Sequence, residues 1–302
     1  MPTETVYGLA ADALDADAVR AIFAAKGRPA DHPLIVHLPS AEHLPRWASS
    51  IPKEAVALAR AFWPGPLTMI LKRAEDVPDE VTGGQDTVGL RVPGHPVALA
   101  LLAVFDSGIA APSANRFGRI SPTTAQHVVE ELGEQVSIVL DGGACDVGIE
   151  STIVDLSGDA PVLLRPGAIS AAAIAAVIGR QPRTREQMQG ETPRVSGALA
   201  AHYAPRTPLV LVPAERLAEA VRRDGRIAVL ARTSDPQAVF HWRTAPNDPV
   251  GYAHDLYAAL RDLDALGADL IVVEALPETA EWQAVADRLG RAETGSGEDG
   301  QT

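Results

Sequence analysis

The sequence contains little that could bind a structural metal or form a covalent cross-link. Its 302 residues include one cysteine, Cys145, so no disulfide can form within the chain, which is typical of a reducing compartment. Neither a Cys-x-x-Cys nor a His-Glu-x-x-His pattern occurs, and both are spacings that zinc sites use. We therefore assign no metal ligand to the protein, and a metal ion would have to arrive with a substrate.

Long apolar runs are also absent. The longest, residues 97–105, is far shorter than the roughly 20 residues that a membrane-spanning helix needs. The opening residues, MPTETVYGLA, lack the basic stretch and apolar core of a secretory signal. We expect a soluble, cytoplasmic protein that does not associate with membranes.

Positive charge is scarce. The chain has 26 Lys and Arg against 39 Asp and Glu, a formal net charge of −13, and only three of the cations are lysines. Residues 1–182 alone hold 13 Lys and Arg against 21 Asp and Glu. Because nucleic-acid binding depends on neutralising phosphates with a broad basic face, we expect no stable nucleic-acid binding. A small positive pocket is still compatible with this balance.

Strand-like and helix-like segments alternate along the chain, which predicts an α/β layer fold rather than a helical bundle or a β-sandwich. We predict a first domain over residues 1–180, a polar linker over 181–206, a second domain over 207–291 and a disordered tail over 292–302. The second domain has apolar strands at 209–212, 227–231 and 270–273, typical of a small Rossmann-like unit, but no Gly-x-Gly-x-x-Gly turn. A further strand is predicted at 137–141 in the first domain.

Two cations flank a glycine where a helix gives way to a strand, in IFAAKGRPADHPLIVHL at residues 22–38. Lys26 falls in the last helical turn, where a cation stabilises the helix dipole without any ligand. Arg28 lies beyond the glycine and gains nothing from the helix, and its guanidinium geometry suits carboxylate or phosphate. The local pattern is therefore compatible with two interpretations of this segment, the ordinary end of a helix and the wall of an anion site.

Other donors gather at the ends of predicted strands, with Ser151 at the start of its strand and the rest at or after the last residue, and ligands bind outside strand ends in open α/β sheets. Each alone is more often a turn residue or a solvated cation, so only their accumulation favours a pocket. No Walker loop is present, so separate side chains would have to hold a nucleotide. The donors are Arg91, Ser113, Asn115, Ser151 and Arg165.

These segments together resemble a known family. PTETVYGLAADA, KGRPADHPLIVHL, WPGPLTMIL, TVGLRVPGHP, APSANRFGRISPT, GIESTIVD and LLRPGAI are similar, in that order, to the YrdC-type threonylcarbamoyl-AMP synthases, over roughly residues 2–170. HYAPRTPL resembles the hinge that precedes an extra C-terminal domain in the longer members. The resemblance implies a twisted mixed-sheet YrdC-like domain with a concave pocket, followed by a small Rossmann-like α/β domain.

The resemblance also implies a nucleotidyltransferase reaction. L-Threonine, bicarbonate and ATP, the last bound to Mg2+, would give threonylcarbamoyl-AMP and pyrophosphate. A separate transferase complex would then modify the adenosine next to the anticodon in tRNAs that read ANN codons.

Residue roles are carried over from the resemblance to matching positions. Lys26 and Arg28 would be the catalytic cations of the pocket. Threonine would be bound by Thr5, His37, Arg91 and Ser151. ATP would be bound by Arg28, His32, Thr87, Ser113, Asn115, Ser121, Arg165, His202 and Tyr203. Position 32 is a histidine where the family has an asparagine, and in the linker motif SGALAAHYAP only His202 and Tyr203 match as closing residues over the nucleotide.

The family resemblance implies a strand and a helix ahead of PTET. Either the start is assigned too late or a strand of the sheet is missing, and we favour the first explanation. A chain that begins at Met1 is then predicted to melt at a lower temperature than one extended upstream.

Two other functions are compatible with parts of the sequence. YrdC-like domains also occur in carbamoyl-transferring hydrogenase-maturation proteins, but those carry zinc-finger segments and this chain has one cysteine. A non-enzymatic RNA-binding module is the alternative hypothesis, and the acidic balance of residues 1–182 disfavours it.

Overall fold

The computed structural model describes residues 1–188, 192–222, 224–234 and 240–297. The chain divides into two compact units, the first formed by Met1–Arg116 and Pro122–Ala198, the second by Phe117–Ser121 and Leu199–Thr302. None of the helices in these ranges is both long and apolar enough to span a bilayer.

Within the described residues, the first unit is built around one mixed sheet of eight strands, in the order β1-β5-β2-β4-β3-β6-β7-β8. The strands are β1 (Ala11–Asp12), β2 (Ile35–His37), β3 (Leu67–Lys72), β4 (Thr87–Arg91), β5 (Ile109–Ala110), β6 (Thr152–Asp155), β7 (Val162–Arg165) and β8 (Arg183–Thr184). The helices are α1 (Ala16–Lys26), α2 (Leu44–Trp47), α3 (Lys53–Phe62), α4 (Asp79–Thr82), α5 (Pro96–Phe105), α6 (Ala125–Leu132) and α7 (Ala171–Ile178). The pairs β2–β4, β3–β6 and β7–β8 are parallel and the others antiparallel.

The second unit has an all-parallel sheet of four strands in its described residues, in the order β11-β10-β12-β9. Its strands are β9 (Leu209–Val212), β10 (Ile227–Ala231), β11 (His241–Thr244) and β12 (Leu270–Glu274), and its helices are α8 (Leu217–Ala220), α9 (Pro249–Ala265) and α10 (Gln283–Gly295). The predicted fold class, a mixed-sheet domain followed by a small α/β domain, is therefore confirmed.

One face of the first sheet is buried under helices. Side chains alternate across a strand, so every second residue of β2, β3, β4 and β6 enters the same core. The core side chains from the sheet include Val36, Met69, Leu90 and Val154, and those from helices include Phe23, Trp47, Leu58 and Ile174. The opposite face of these strands is left for other contacts.

The strand predicted at 137–141 is wrong. These residues form no strand, and Ile138 is 77% exposed. Val136 and Val139 instead pack against a small cluster that contains Tyr7 and Leu132. An apolar run forms a strand only where a neighbouring strand is available to satisfy its backbone, and none in the described residues pairs with this segment.

The domain limits differ from those predicted. The linker predicted over 181–206 begins inside the first unit, because β8 pairs with β7 through Val162 and Arg183, and the division falls between Ala198 and Leu199. The tail predicted as disordered from residue 292 is wrong as far as Gly295, because α10 continues to that residue and buries Ala292. Residues 298–302 lie outside the described residues.

A glycine at a tight core position gives a stability prediction. A Cβ on Gly108 would lie 2.3 Å from Trp47 Cζ2 and 2.5 Å from Val36 Cγ1. We expect Gly108→Ala to lower the free energy of unfolding by about 1–3 kcal/mol, because it overpacks a filled core. The measurement is chemical denaturation. Gly158→Ala is the control, since a Cβ there meets nothing within 4 Å, and equal stability of the two variants would contradict the prediction.

Candidate active site

The face of the first sheet that points away from the helix-packed core carries polar side chains. His37, Thr68, Thr87 and Arg91 alternate with the core residues of β2, β3 and β4, and each is at most 4% exposed. The parallel register pairs His37 with Arg91. We call this surface, defined by these four residues, the polar face. The four residues span 54 positions of the sequence, from His37 to Arg91, and the sheet brings them onto one side.

A glycine leaves space at the centre of the polar face because it has no side chain. Gly89 lies between Thr87 and Arg91, and a Cβ there would be 3.2 Å from Ile70 Cδ1 and 3.6 Å from Ile35 Cγ1. A small open pocket lies against this position and is lined by Gly89, Thr87 and residues 194–196, among others. A side chain at position 89 would intrude on that pocket.

The cationic turn is built by the end of α1. Gly27 adopts the left-handed conformation, with φ +61°, and ends the helix between the two cations. Lys26 points inward, is 3% exposed, and donates to the backbone carbonyls of Ser113 and Asn115. Burial, and then the charge of Arg28, hold the pKa of Lys26 well below its usual value. Lys26 is therefore a desolvated amine held by carbonyl oxygens rather than the solvated end of a helix.

Arg28 and Arg165 are linked through one serine. Arg28 Nη2 donates to Ser196 Oγ at 3.1 Å and to the carbonyl of Pro33 at 2.9 Å. Arg165 Nη1 donates to the carbonyl of Ser196 at 2.8 Å. Ser196 lies in the segment predicted as linker, so sequence reasoning did not include it. Arg28 and Ser196 are 168 positions apart in the sequence, so their contact produces no repeating pattern that a sequence analysis could detect.

Arg165 also orders the predicted threonine-binding serine. Its Nε donates to the carbonyl of Ser151 at 3.0 Å, and its Nη2 donates to Ser151 Oγ at 3.1 Å. Ser151 Oγ lies 2.8 Å from Thr68 Oγ1 on the polar face. The residues predicted for ATP and for threonine are thus joined by a continuous set of hydrogen bonds.

Arg91 is neutralised by a carboxylate that sequence reasoning missed. Its Nη2 lies 2.6 Å from Glu4 Oε1, with both side chains less than 10% exposed, and its Nη1 donates to Thr5 Oγ1 at 2.9 Å. Glu4 Oε2 accepts from the backbone of Gly94 at 2.8 Å. Glu4 is the one carboxylate in the first eleven residues, and this is the sequence feature that could have identified it as a partner of a buried cation.

Two of the three predicted histidines, His37 and His32, have pKa values below the ordinary value and are neutral at pH 7. Burial, and then the nearby charge of Arg91, lower the pKa of His37 to about 3. Burial, followed by Arg28, lowers the pKa of the partly exposed His32. They can offer hydrogen bonds to a ligand, but they add no positive charge.

Three of the predicted ATP-binding residues belong to the second unit. Ser121 is in its segment Phe117–Ser121, and His202 and Tyr203 follow Leu199. Tyr203 is 1% exposed with φ +61°, and its ring centroid lies 4.2 Å from that of His202 and 5.6 Å from that of Tyr257. Their roles toward ATP stay predictions.

The site is suited to anions. Lys26, Arg91 and Arg165 are each 3% exposed, and protein oxygens replace the water that such cations would otherwise bind. Among the described residues no group of three or more His, Cys, Asp or Glu side chains could hold a metal ion. Carboxylate or phosphate groups of a small molecule are therefore the ligands that match the site.

The burial of His37 predicts a pH dependence of stability. Its pKa is about 3 in the folded protein and about 6.5 in an unfolded chain. As the pH falls below 6.5, the unfolded chain takes up a proton that the folded protein does not, so stability decreases toward pH 3. The decrease between pH 6.5 and 5 is roughly 2 kcal/mol from this group.

Chemical denaturation at several pH values measures this decrease in the free energy of unfolding. His37→Asn should flatten the decrease in unfolding free energy over this range. His254→Asn, at a side chain that is 46% exposed, should leave it unchanged. Parallel pH profiles for His37→Asn and the wild-type protein would contradict the assignment.

Comparisons with known proteins cover nearly the whole chain. The family model described as telomere recombination, for Sua5, YciO and YrdC proteins, matches residues 1–167. The model described as the C-terminal domain of threonylcarbamoyl-AMP synthase matches residues 169–294. Threonylcarbamoyl-AMP synthase of Pyrococcus abyssi is 43% identical over 304 residues, covering 96% of this chain and 88% of the relative. That of Bacillus subtilis is 40% identical over 308 residues, covering 97% and 88%.

A solved structure agrees with the sequence comparison. The crystal structure of P. abyssi Sua5 complexed with L-threonine matches with a TM-score of 0.90 and 40% identity, over 97% of this chain and 89% of that chain. The resemblance stated from the sequence motifs is thereby confirmed. The chain belongs to the threonylcarbamoyl-AMP synthases that carry an additional C-terminal domain, a family of nucleotidyltransferase-type enzymes.

Proposed function

We propose that this chain makes threonylcarbamoyl-AMP and pyrophosphate from L-threonine, bicarbonate and ATP. The observation that carries the proposal is the set of hydrogen bonds from Arg28 through Ser196 and Arg165 to Ser151. It joins the residues assigned to ATP to those assigned to threonine. The names of the relatives and the threonine complex of the P. abyssi protein support the same reaction.

The reaction needs an unstable intermediate to be captured. The amine of threonine adds to bicarbonate or CO2 to give a carbamate, with loss of water when bicarbonate reacts. A carbamate oxygen then attacks the α-phosphorus of ATP, and the bond to the β-phosphate breaks as pyrophosphate leaves. Because a carbamate decomposes readily in water, the enzyme has to exclude water and align the reactants.

Arg91, Thr5, His37 and Ser151 would bind threonine on the polar face. Glu4 neutralises Arg91, so this end of the site offers oriented donors with little net charge. A neutral His37 fits that role, since it can hydrogen-bond the amino acid without adding a positive charge beside the amine. The threonine ammonium has to lose its proton to solvent before its nitrogen can add to the carbon of bicarbonate or CO2, and we assign no residue of this chain as the base.

Lys26, Arg28 and Arg165 would bind the phosphates of ATP. Arg28 and Arg165 donate to neutral carbonyl and hydroxyl oxygens of Pro33, Ser151 and Ser196, contacts that phosphate oxygens can replace with a gain in charge attraction. Negative charge grows on the leaving pyrophosphate, and preorganised cations stabilise it. Thr87 lines the adjoining pocket. His32, Ser113 and Asn115 are the other nucleotide contacts that we propose in the first unit, and the roles of Ser121, His202 and Tyr203 of the second unit stay predictions.

Magnesium would enter with ATP as part of the substrate. Mg2+ commonly binds substrate phosphates and retains several waters, so it needs few protein ligands. The described residues offer no metal-binding cluster, and we assign no residue of this chain as its ligand. When bound, the ion would neutralise part of the phosphate charge.

The product would be used by another enzyme. We propose that a tRNA threonylcarbamoyl transferase complex takes threonylcarbamoyl-AMP and modifies the adenosine next to the anticodon of tRNAs that read ANN codons. The acidic balance of residues 1–182 supports a hand-over of the small molecule without stable RNA binding by this chain. The cytoplasm, where such tRNAs are used, is the proposed location.

Pyrophosphate release from ATP tests the proposal. We expect release that requires both L-threonine and bicarbonate, and a decrease of about 10²-fold or more for Arg28→Ala, because a phosphate-binding cation is lost. Arg20→Ala is the matched control, an exposed arginine on α1 that pairs with Asp17 and Glu80. We expect it to keep the wild-type rate.

Two results would contradict the proposal. One is pyrophosphate release that does not depend on threonine. The other is a folded protein that binds ATP but releases no pyrophosphate, which would favour the RNA-binding alternative and would be followed by a tRNA-binding measurement.

A further inference from the structure

Residues 194–196, which we call the strap, lie in the segment predicted as linker but dock on the first unit. Val195 in its middle is 5% exposed and packs in a cluster with Ile70, Ile153 and Leu164. Ile70 and Ile153 both line the open pocket beside the polar face, as does the strap itself. The strap is therefore one wall of the proposed nucleotide site.

One side chain holds the backbone of the strap. Gln85 Oε1 accepts from the backbone N–H of Arg194 at 2.7 Å, and Gln85 Nε2 donates to the carbonyl of Arg194 at 3.2 Å. The amide thus satisfies both backbone groups of one residue, as a neighbouring strand would. Gln85 precedes β4 by two positions, so it connects the strap to a rigid strand of the sheet.

Ser196 follows directly and contacts both arginines. Its hydroxyl accepts from Arg28 at 3.1 Å and donates to the carbonyl of Pro33 at 3.0 Å, and its carbonyl accepts from Arg165 at 2.8 Å. Two long cationic side chains, Arg28 after α1 and Arg165 at the end of β7, are thereby held by two oxygens of one residue. A displacement of the strap moves the contact points of both arginines together.

We propose that Gln85 is a positioning residue for ATP, which acts by fixing the strap so that Ser196 holds Arg28 and Arg165 in the orientation that receives the phosphates. This inference rests on the proposed function. Its physical basis is that long arginine side chains lose rotamer freedom on binding, and a site that restricts them beforehand binds more tightly. At the threonine end of the polar face, Arg91 is held by Glu4 and Thr5 rather than by the strap, and Arg165 keeps two contacts of its own to Ser151.

A purely structural role is the competing explanation. Gln85 Nε2 also donates to the carbonyl of Thr82 at 3.2 Å, so its removal could loosen only the turn after α4. A structural defect would lower the fraction of active enzyme and leave both Michaelis constants unchanged. A positioning defect would raise the Michaelis constant for ATP and leave that for threonine unchanged.

Steady-state pyrophosphate release therefore distinguishes the two roles. We expect Gln85→Ala to raise the KM for ATP by roughly 3- to 10-fold, the effect of losing a hydrogen-bonded contact, with the KM for threonine within about 2-fold of wild type. The dissociation constant for ATP, measured by calorimetry, should rise in parallel. Gln85→Glu keeps the acceptor for Arg194 N–H and loses the donor, so its KM should be intermediate.

The matched control is the next residue in the chain. Asp86→Asn removes an exposed ion pair with Lys72, whose side chain is 43% exposed, and leaves the strap contacts intact. Exposed pairs of this kind contribute little to stability. We expect wild-type kinetic constants for this variant.

A second variant tests whether Gln85 acts through Ser196. Ser196→Ala removes the hydroxyl contact to Arg28 and keeps the carbonyl contact to Arg165, so it should also raise the KM for ATP. If both residues act through one path, the double variant Gln85→Ala, Ser196→Ala should raise the KM less than the product of the single effects. Independent, multiplicative effects would contradict the proposed path.

Limited trypsin digestion measures directly whether the strap is docked on the first unit. Undocking in Gln85→Ala should accelerate cleavage after Arg194, identified by a new fragment that begins VSGAL. Faster cleavage with an unchanged KM for ATP would overturn the inference, as would a lower kcat with both Michaelis constants unchanged. Wild-type enzyme without threonine-dependent pyrophosphate release would instead overturn the proposed function on which the inference rests.

Discussion

Buried cations need oxygen acceptors, and this requirement explains most of the architecture around the polar face. Lys26, Arg91 and Arg165 have almost no exposure to water, so protein oxygens must replace their hydration. Several of these oxygens are backbone carbonyls, from Ser113, Asn115, Ser151 and Ser196. Loops whose carbonyls point inward therefore surround the site.

The contacts of these cations described above are of two kinds, one with a carboxylate and the others with neutral oxygens. Arg91 forms an ion pair with the buried carboxylate of Glu4. Replacing either residue with a neutral one would leave the other as a buried charge without its partner. Arg28 and Arg165 donate to neutral oxygens of Ser196, and Lys26 to neutral carbonyls. The oxygens that hold Arg28 and Arg165 include neutral ones that phosphate oxygens can replace, which fits a substrate pair in which one member is a zwitterionic amino acid and the other a polyanion.

The fold was predictable from sequence where periodicity was unambiguous, as in α1, β4 and the strands β9, β10 and β12 of the second unit, whereas its edge strand β11 was not predicted. It was not predictable where a pattern depends on distant partners. Residues 137–141 are apolar but have no neighbouring strand, and α10 was missed because a buried arginine, Arg288, interrupts its apolar face. In the site, cations were found by their position in motifs, whereas Glu4 and Ser196 matter only through contacts made across the sheet.

The pairing of β8 with β7 affects how the chain can be divided. The first family model ends at residue 167 and the predicted domain at 180, yet the compact first unit extends to Ala198. A fragment cut at either earlier position would leave the outer edge of β7 without its partner strand, and unpaired edges promote association between chains. During synthesis on the ribosome, too, the first unit stays incomplete until its last residues, 183–198, have emerged.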